Sequence, residues 1–149
     1  MKQLALTAAL TAAAMMASQP GWARETKSAC TPASAMEAEV ALRYVTDLMV
    51  VSSVCQDTVY AEFRLRNRDV IVNYQKALVA HFHGKAGFDR WDTALANQAA
   101  QKQAGNMDGH VCRDGVALLQ QAKALDPSGF RAYAAAQAAA QRQAANCAK

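Results

Sequence analysis

From Ala38 onward apolar residues recur every three or four positions, the spacing of helices with one buried face. Ala38, Ala41, Val45, Leu48, Met49, Ser52 and Cys55 share a face, with Glu39, Arg43 and Asp47 opposite. Ser34-Ala35-Met36-Glu37 fits a capping box, which predicts the helix start. Gln56-Asp57-Thr58 reads as a break and a fresh N-cap, followed by a short helix carrying Tyr60 and Phe63. A third periodic stretch holds Val70, Ile71, Tyr74, Ala77, Leu78, His81 and Phe82, and Gly84 and Gly87 are expected to close it and open a loop. Phe88, Trp91, Leu95 and Ala99 define a fourth helix, expected to stop at Gly105. Asp108 is placed to cap a fifth, with Val111, Cys112, Gly115, Leu118, Leu119, Ala122 and Leu125 on one face. Asp126-Pro127 is a restart, with Asp as N-cap and Pro in the first turn. The last helix is expected to bury Phe130, Tyr133, Ala136, Ala140, Ala144 and Cys147.

The short connections predict antiparallel neighbours, and so an all-α fold: a compact bundle of five to six short helices. No internal repeat is visible, which excludes a stacked helical array. With 149 residues the chain suits a single domain. Hydrophobic residues make up 52% and charged ones 19%, which argues against disorder. Aromatics are only 7%, and much of the apolar content is alanine, so the core calls for covalent support. Trp91, Phe88, Tyr74, Phe82, Tyr60 and Phe63 are the aromatic inventory of the middle helices, read first as core and second as the lining of a ligand pocket.

Residues 1–23 read as a secretory signal peptide. Lys2 supplies the positive end, Leu4 to Ala17 is uncharged and mostly apolar, and Pro20 precedes the small-residue site Gly21-Trp22-Ala23. Cleavage is expected after Ala23. Lipid attachment at Cys30 is disfavoured by Lys27-Ser28-Ala29 ahead of it. Residues 24–33 form an extension with Cys30, and residues 34–147 one helical domain with no apolar run of membrane length.

Cys30, Cys55, Cys112 and Cys147 all follow the signal segment, and an even count in a small exported chain implies disulfides. Three pairings are possible. Cys55–Cys112 with Cys30–Cys147 is favoured: the first joins two apolar helix faces, the second ties the chain ends. Each closes a long loop, for about 4–5 kcal/mol in the chain-entropy view, and less in sum because the loops nest. The cysteine spacings match no zinc module, and no Cys-x-x-Cys is present.

The residues Leu48-Met49-Val50-Val51, Cys55, Tyr60, Phe63, Leu78, Phe82, Leu95-Ala96-Asn97 and Cys112 make up a pattern that spans Ala41 to Leu119. It resembles a group of small exported bacterial helical disulfide proteins without an assigned role. The resemblance implies a helical fold with a Cys55–Cys112 bridge and implies no activity; it does not extend to Cys30, Cys147 or the Ala/Gln-rich last helix.

The chain shows no nucleotide loop, haem attachment motif or recognisable nucleophile elbow. His81-Phe82-His83 is the most suggestive local motif, but on a helix the two imidazoles point apart, so one metal cannot readily use both. A His81/His110/Cys112 metal site would need Cys112 reduced, and no metal or other cofactor is assigned. Asp57 with Glu62, and Asp89 with Asp92, are carboxylate pairs, but no catalytic residue is assigned to them. Arg64, Arg66 and Arg68 are the densest positive charge and the candidate partner surface, against the alternative of a solvated junction paired to Glu62 and Asp69. A net charge of +4 in an exported chain makes nucleic acid a poor partner. The reading is a periplasmic or secreted protein that binds another envelope protein or an anionic surface. The alternative is a small-ligand or metal-binding helical bundle, and a hydrolytic enzyme comes third.

Overall fold

The computed structural model describes residues 30–104 and 110–147, which among them form helices and no strand. The helices are α1 (Ala33–Cys55), α2 (Val59–Arg66), α3 (Arg68–His81), α4 (Lys85–Ala104), α5 (His110–Asp114), α6 (Val116–Ala124) and α7 (Pro127–Ala144). The signal segment, its cleavage site, Gly105 and Asp108 lie outside the described residues. No helix among the described residues is long and apolar enough to cross a membrane.

The count of five to six short helices is corrected to seven among the described residues, and one of them is long. The 23-residue α1 is the central element, packed by α3, α4 and α7 and touched by α2, α5 and α6. Its buried residues include Ala38, Ala41, Leu48 and Ser52, as the spacing predicts, but also Val40, Leu42, Tyr44 and Val51. A helix surrounded by neighbours buries more than one stripe. Met49, expected inside, is exposed. On the opposite face Arg43 is exposed as expected, and with the partly buried Asp47 it borders α4.

The capping box at Ser34 does not form. The helix starts two residues earlier, with Pro32 at the N-cap, no side-chain cap and the Pro32 carbonyl accepting from the Met36 N–H at 2.9 Å. Ser34 is therefore already inside the first turn. Glu37 turns instead to α3, where its carboxylate accepts from the Tyr74 hydroxyl at 2.7 Å.

Three helix ends share one device. After α1, α3 and α7 the residues Gln56, His83 and Asn146 adopt left-handed φ of 54°, 57° and 54°. The next N–H reaches back five residues in each: Asp57 to the Ser52 carbonyl, Gly84 to Val79 and Cys147 to Arg142. This is the Schellman arrangement, which satisfies carbonyls left over at a helix end. It gives His83 a backbone role. Gly84 follows at φ 128°, so it is the turn residue. Gly87, expected to open a loop, lies inside α4, where a Cβ would run into the Phe82 carbonyl.

The fifth predicted helix is interrupted at Gly115, which separates α5 from α6. A Cβ at Gly115 would collide with the Val51 side chain of α1, so this position needs glycine for close approach. Asp126 caps α7 as predicted, accepting from the Gly129 N–H at 2.7 Å with Pro127 in the first turn. The stripe of α7 differs from the expectation: Phe130, Ala134 and Ala138 are buried, while Ala136, Ala140 and Ala144 are exposed and Cys147 lies beyond the helix. An i, i+4, i+8 row of one large and two small residues forms the buried face of α7, which packs on α1. Alanine here shortens the distance between helices and so leaves less empty space to fill.

Five aromatic rings fill the centre. Phe63 and Phe130 meet edge-on at 5.0 Å, Tyr74 and Phe130 at 6.0 Å, and Tyr44 lies 5.6 Å from Phe63 and 4.9 Å from Tyr133. Tyr74 and Phe63 were in the predicted inventory; Tyr44, Phe130 and Tyr133 complete the cluster from α1 and α7. Phe82, Phe88 and Trp91 form a separate group at the α3–α4 turn. The two disulfides are Cys30–Cys147 and Cys55–Cys112, spanning 117 and 57 residues. The first is reinforced by Arg142, which donates to the Thr31 carbonyl at 2.7 Å and to the Cys147 carbonyl at 3.0 Å. Both bonds fit an oxidising, extracytoplasmic compartment.

Candidate binding surface

The α1–α2 junction orients the arginine segment. Asp57 accepts from the Val59 N–H at 2.9 Å and from the Ser52 hydroxyl, while Ser52 Oγ accepts from the Tyr60 N–H at 3.2 Å. Glu62 accepts from the Thr58 hydroxyl at 2.6 Å. These bonds start α2 with Val59 and Phe63 turned inward. Its outer face is then left with Ala61, Arg64 and Leu65.

The three arginines do not act together. Arg66 is turned toward the end of α6: its Nε donates to the Leu125 carbonyl at 3.1 Å and its Nη2 to the carbonyls of Ala122 at 2.7 Å and Lys123 at 3.4 Å. The Asn67 amide joins it, donating to the Phe63 and Leu125 carbonyls at 3.1 and 3.3 Å. A cation at carbonyls left over by a helix C-terminus is favourable both as a hydrogen bond and against the helix dipole. Arg64 and Arg68 remain exposed. The pairing expected with Glu62 and Asp69 is not formed; among the described residues the ion pairs are Lys85–Asp89 and Arg113–Asp114.

Between Arg64 and Arg68 stands Leu65, 78% exposed. It lines a depression of about 420 Å³ with Tyr60, Ala61, Arg64 and Arg68. On its other side it borders a second one of about 410 Å³, edged by Arg68, Pro127 and Arg131. The result is an apolar ridge flanked by cations, with shallow hollows to either side. No local sequence signal marks Leu65 as special. Its exposure follows from which face of α2 the Phe63 ring claims.

The other candidate chemistry is dispersed. His81 is half-buried with its ring 4.9 Å from that of Phe82, His83 is the exposed left-handed residue, and His110 is exposed at the start of α5. Cys112 is consumed by its disulfide and offers no thiolate. Among the described residues no group of three His, Cys, Asp or Glu side chains is placed to hold a metal ion. Asp89 is paired with Lys85 at 2.8 Å, Asp92 is exposed, and Asp57 is held within the α1–α2 junction. Burial pushes the hydroxyls of Tyr44, Tyr74 and Tyr133 above the usual tyrosine range; Tyr133 feels Asp47 as well, and Tyr74 the hydrogen bond to Glu37. The Tyr44 hydroxyl is buried with no partner among the described residues.

No family model, curated protein or solved structure matches the chain.

Proposed function

We propose that the chain is an exported accessory protein that binds another envelope protein through the outer face of α2. The observation that carries this reading is Leu65, a large apolar side chain left 78% exposed between Arg64 and Arg68 beside an apolar hollow. A leucine in water gains about 1.5–3 kcal/mol when fully covered, enough for a central contact. The flanking arginines favour an acidic partner surface and would steer its approach. Arg66 is not part of the contact, because its guanidinium is spent on the end of α6.

The test places a photo-crosslinking residue at position 65 and irradiates the protein in its native envelope fraction. A discrete protein adduct is expected, fading at high salt and after Arg64→Glu with Arg68→Glu. The absence of any adduct would overturn the reading, as would an adduct indifferent to both salt and charge.

A further inference from the structure

A second surface, away from α2, is built differently. Along the seam between α1 and α4, two depressions of about 420 and 430 Å³ share Arg43, Leu95 and Gln98 and so run into one groove. Each is within the size range of small-molecule sites. Its floor is apolar, with Leu95 and Ala99 almost wholly buried. One wall is Trp91, backed by Phe82 at 5.7 Å and Phe88 at 6.0 Å between ring centres. A side chain supported in this way holds its position before any ligand arrives.

Arg43 is the polar centre. Its guanidinium lies 5.9 Å over the Trp91 ring and donates one long hydrogen bond, 3.4 Å, to Gln98. Asp47 stands one helical turn away, the usual spacing for an ion pair, yet the two do not pair. Arg43 is exposed, and its planar fork stands against an aromatic ring with most of its donors unpaired with protein groups among the described residues. Asn97, Gln98 and Gln101 add amide groups along the same groove. Asp47 and Lys102 line its far part.

We propose that the α1–α4 groove binds a small monocarboxylate whose neighbouring hydroxyl or amide groups meet the amides of α4, with the carboxylate on Arg43. A guanidinium fork matches the two oxygens of a carboxylate. A phosphate would fit the fork equally, but its second charge would face Asp47. The carbon skeleton of the ligand lies along Trp91 and Leu95. Two sources carry this chemistry, an acidic sugar and an N-acylated amino acid or peptide C-terminus.

The experiment follows the Trp91 indole N–H resonance, assigned through Trp91→Phe, during titration of the protein. The probes are a uronic-acid disaccharide and N-acetyl-dialanine, each beside its neutral counterpart, an uncharged disaccharide and the peptide amide. Saturable binding by one of the carboxylates is expected, about tenfold or more tighter than its neutral counterpart; the one that binds names the source. Arg43→Gln should weaken it by a similar factor, with Arg43→Lys in between, because lysine keeps the charge and loses the fork. Gln98→Ala is a second variant, should Arg43→Gln disturb folding, and is expected to weaken binding several-fold. Leu65→Ser on α2 should leave it unchanged, which separates this site from the partner surface. The proposal is overturned if neither carboxylate saturates, if neutral probes bind equally, or if the folded Arg43 and Gln98 variants bind like the parent.

Discussion

Replacing Arg66 alone should destabilise the fold, and replacing Arg64 should not. Both are exposed arginines of one short helix, two residues apart. Arg66 makes two well-formed bonds, to the carbonyls of Ala122 at 2.7 Å and Leu125 at 3.1 Å, and a longer one at 3.4 Å to Lys123. Hydrogen bonds from a charged donor contribute about 1.5–3 kcal/mol each in favourable settings. Partial exposure and the entropy of ordering a long side chain reduce that figure, whereas the helix end adds a few tenths to 1 kcal/mol. The net is about 1.5–3 kcal/mol for Arg66→Gln, against at most about 0.5 kcal/mol for Arg64→Gln. For a chain of this size the melting point should fall by about 5–12 °C in the first case and hardly move in the second. Urea unfolding followed by far-ultraviolet circular dichroism, with the disulfides intact, is the assay. The midpoint should drop for Arg66→Gln at unchanged slope. Equal midpoints for the two variants, or an Arg66→Gln protein as stable as the parent, would refute the capping role. A triple replacement of Arg64, Arg66 and Arg68 therefore mixes two effects, and a partner-binding test must spare Arg66.

Tyr44→Phe removes a buried hydroxyl that has no partner, so the variant should be as stable as the parent or about 0.5–2 kcal/mol more stable in urea; a clear loss would mean that the hydroxyl is satisfied. Gly115→Ala forces a methyl group into Val51 and should cost about 1–3 kcal/mol, whereas Gly84→Ala meets no neighbouring atom and loses only through its backbone angle; equal, small losses would show that α1 and the α5–α6 junction are not in close contact. Tyr44, Tyr74 and Tyr133 all have folded-state pKa values raised above the ordinary value, so the folded chain holds their protons longer than the unfolded chain. Their contribution is complete below about pH 10 and is lost as pH rises beyond it, so the urea midpoint should fall as pH rises above about 10, less steeply in Tyr74→Phe; an unchanged midpoint would contradict the burial of these hydroxyls.

Local chemistry was legible in residue order. The stop after Cys55, the Asp126-Pro127 restart, the third-helix face of Val70, Ile71, Tyr74 and Leu78, and the all-helical class depend on propensities and spacings within a few turns. The cysteine pairing was one of three that residue order allowed, favoured because Cys55 and Cys112 lie on apolar faces and Cys30 and Cys147 at the chain ends, and the structure adopts it.

What needed the tertiary structure is whatever depends on a neighbour distant in the chain. Glu37 serves Tyr74 and not a cap; Arg66 serves a helix that ends nearly sixty residues later, the separations being 56 to 59. The stripe of α7 runs through Ala134 and Ala138 because that is the side on which α7 meets α1, a choice that alanines on every face of α7 leave open. The exposed side of α1 became the wall of a groove because α4 lies beside Arg43, and Leu65 was left in water because Phe63 took the core. A sequence states which faces are capable of burial. Which of them is buried, and which side chains are thereby left to meet a partner or a ligand, is decided by competition among helices for one small core.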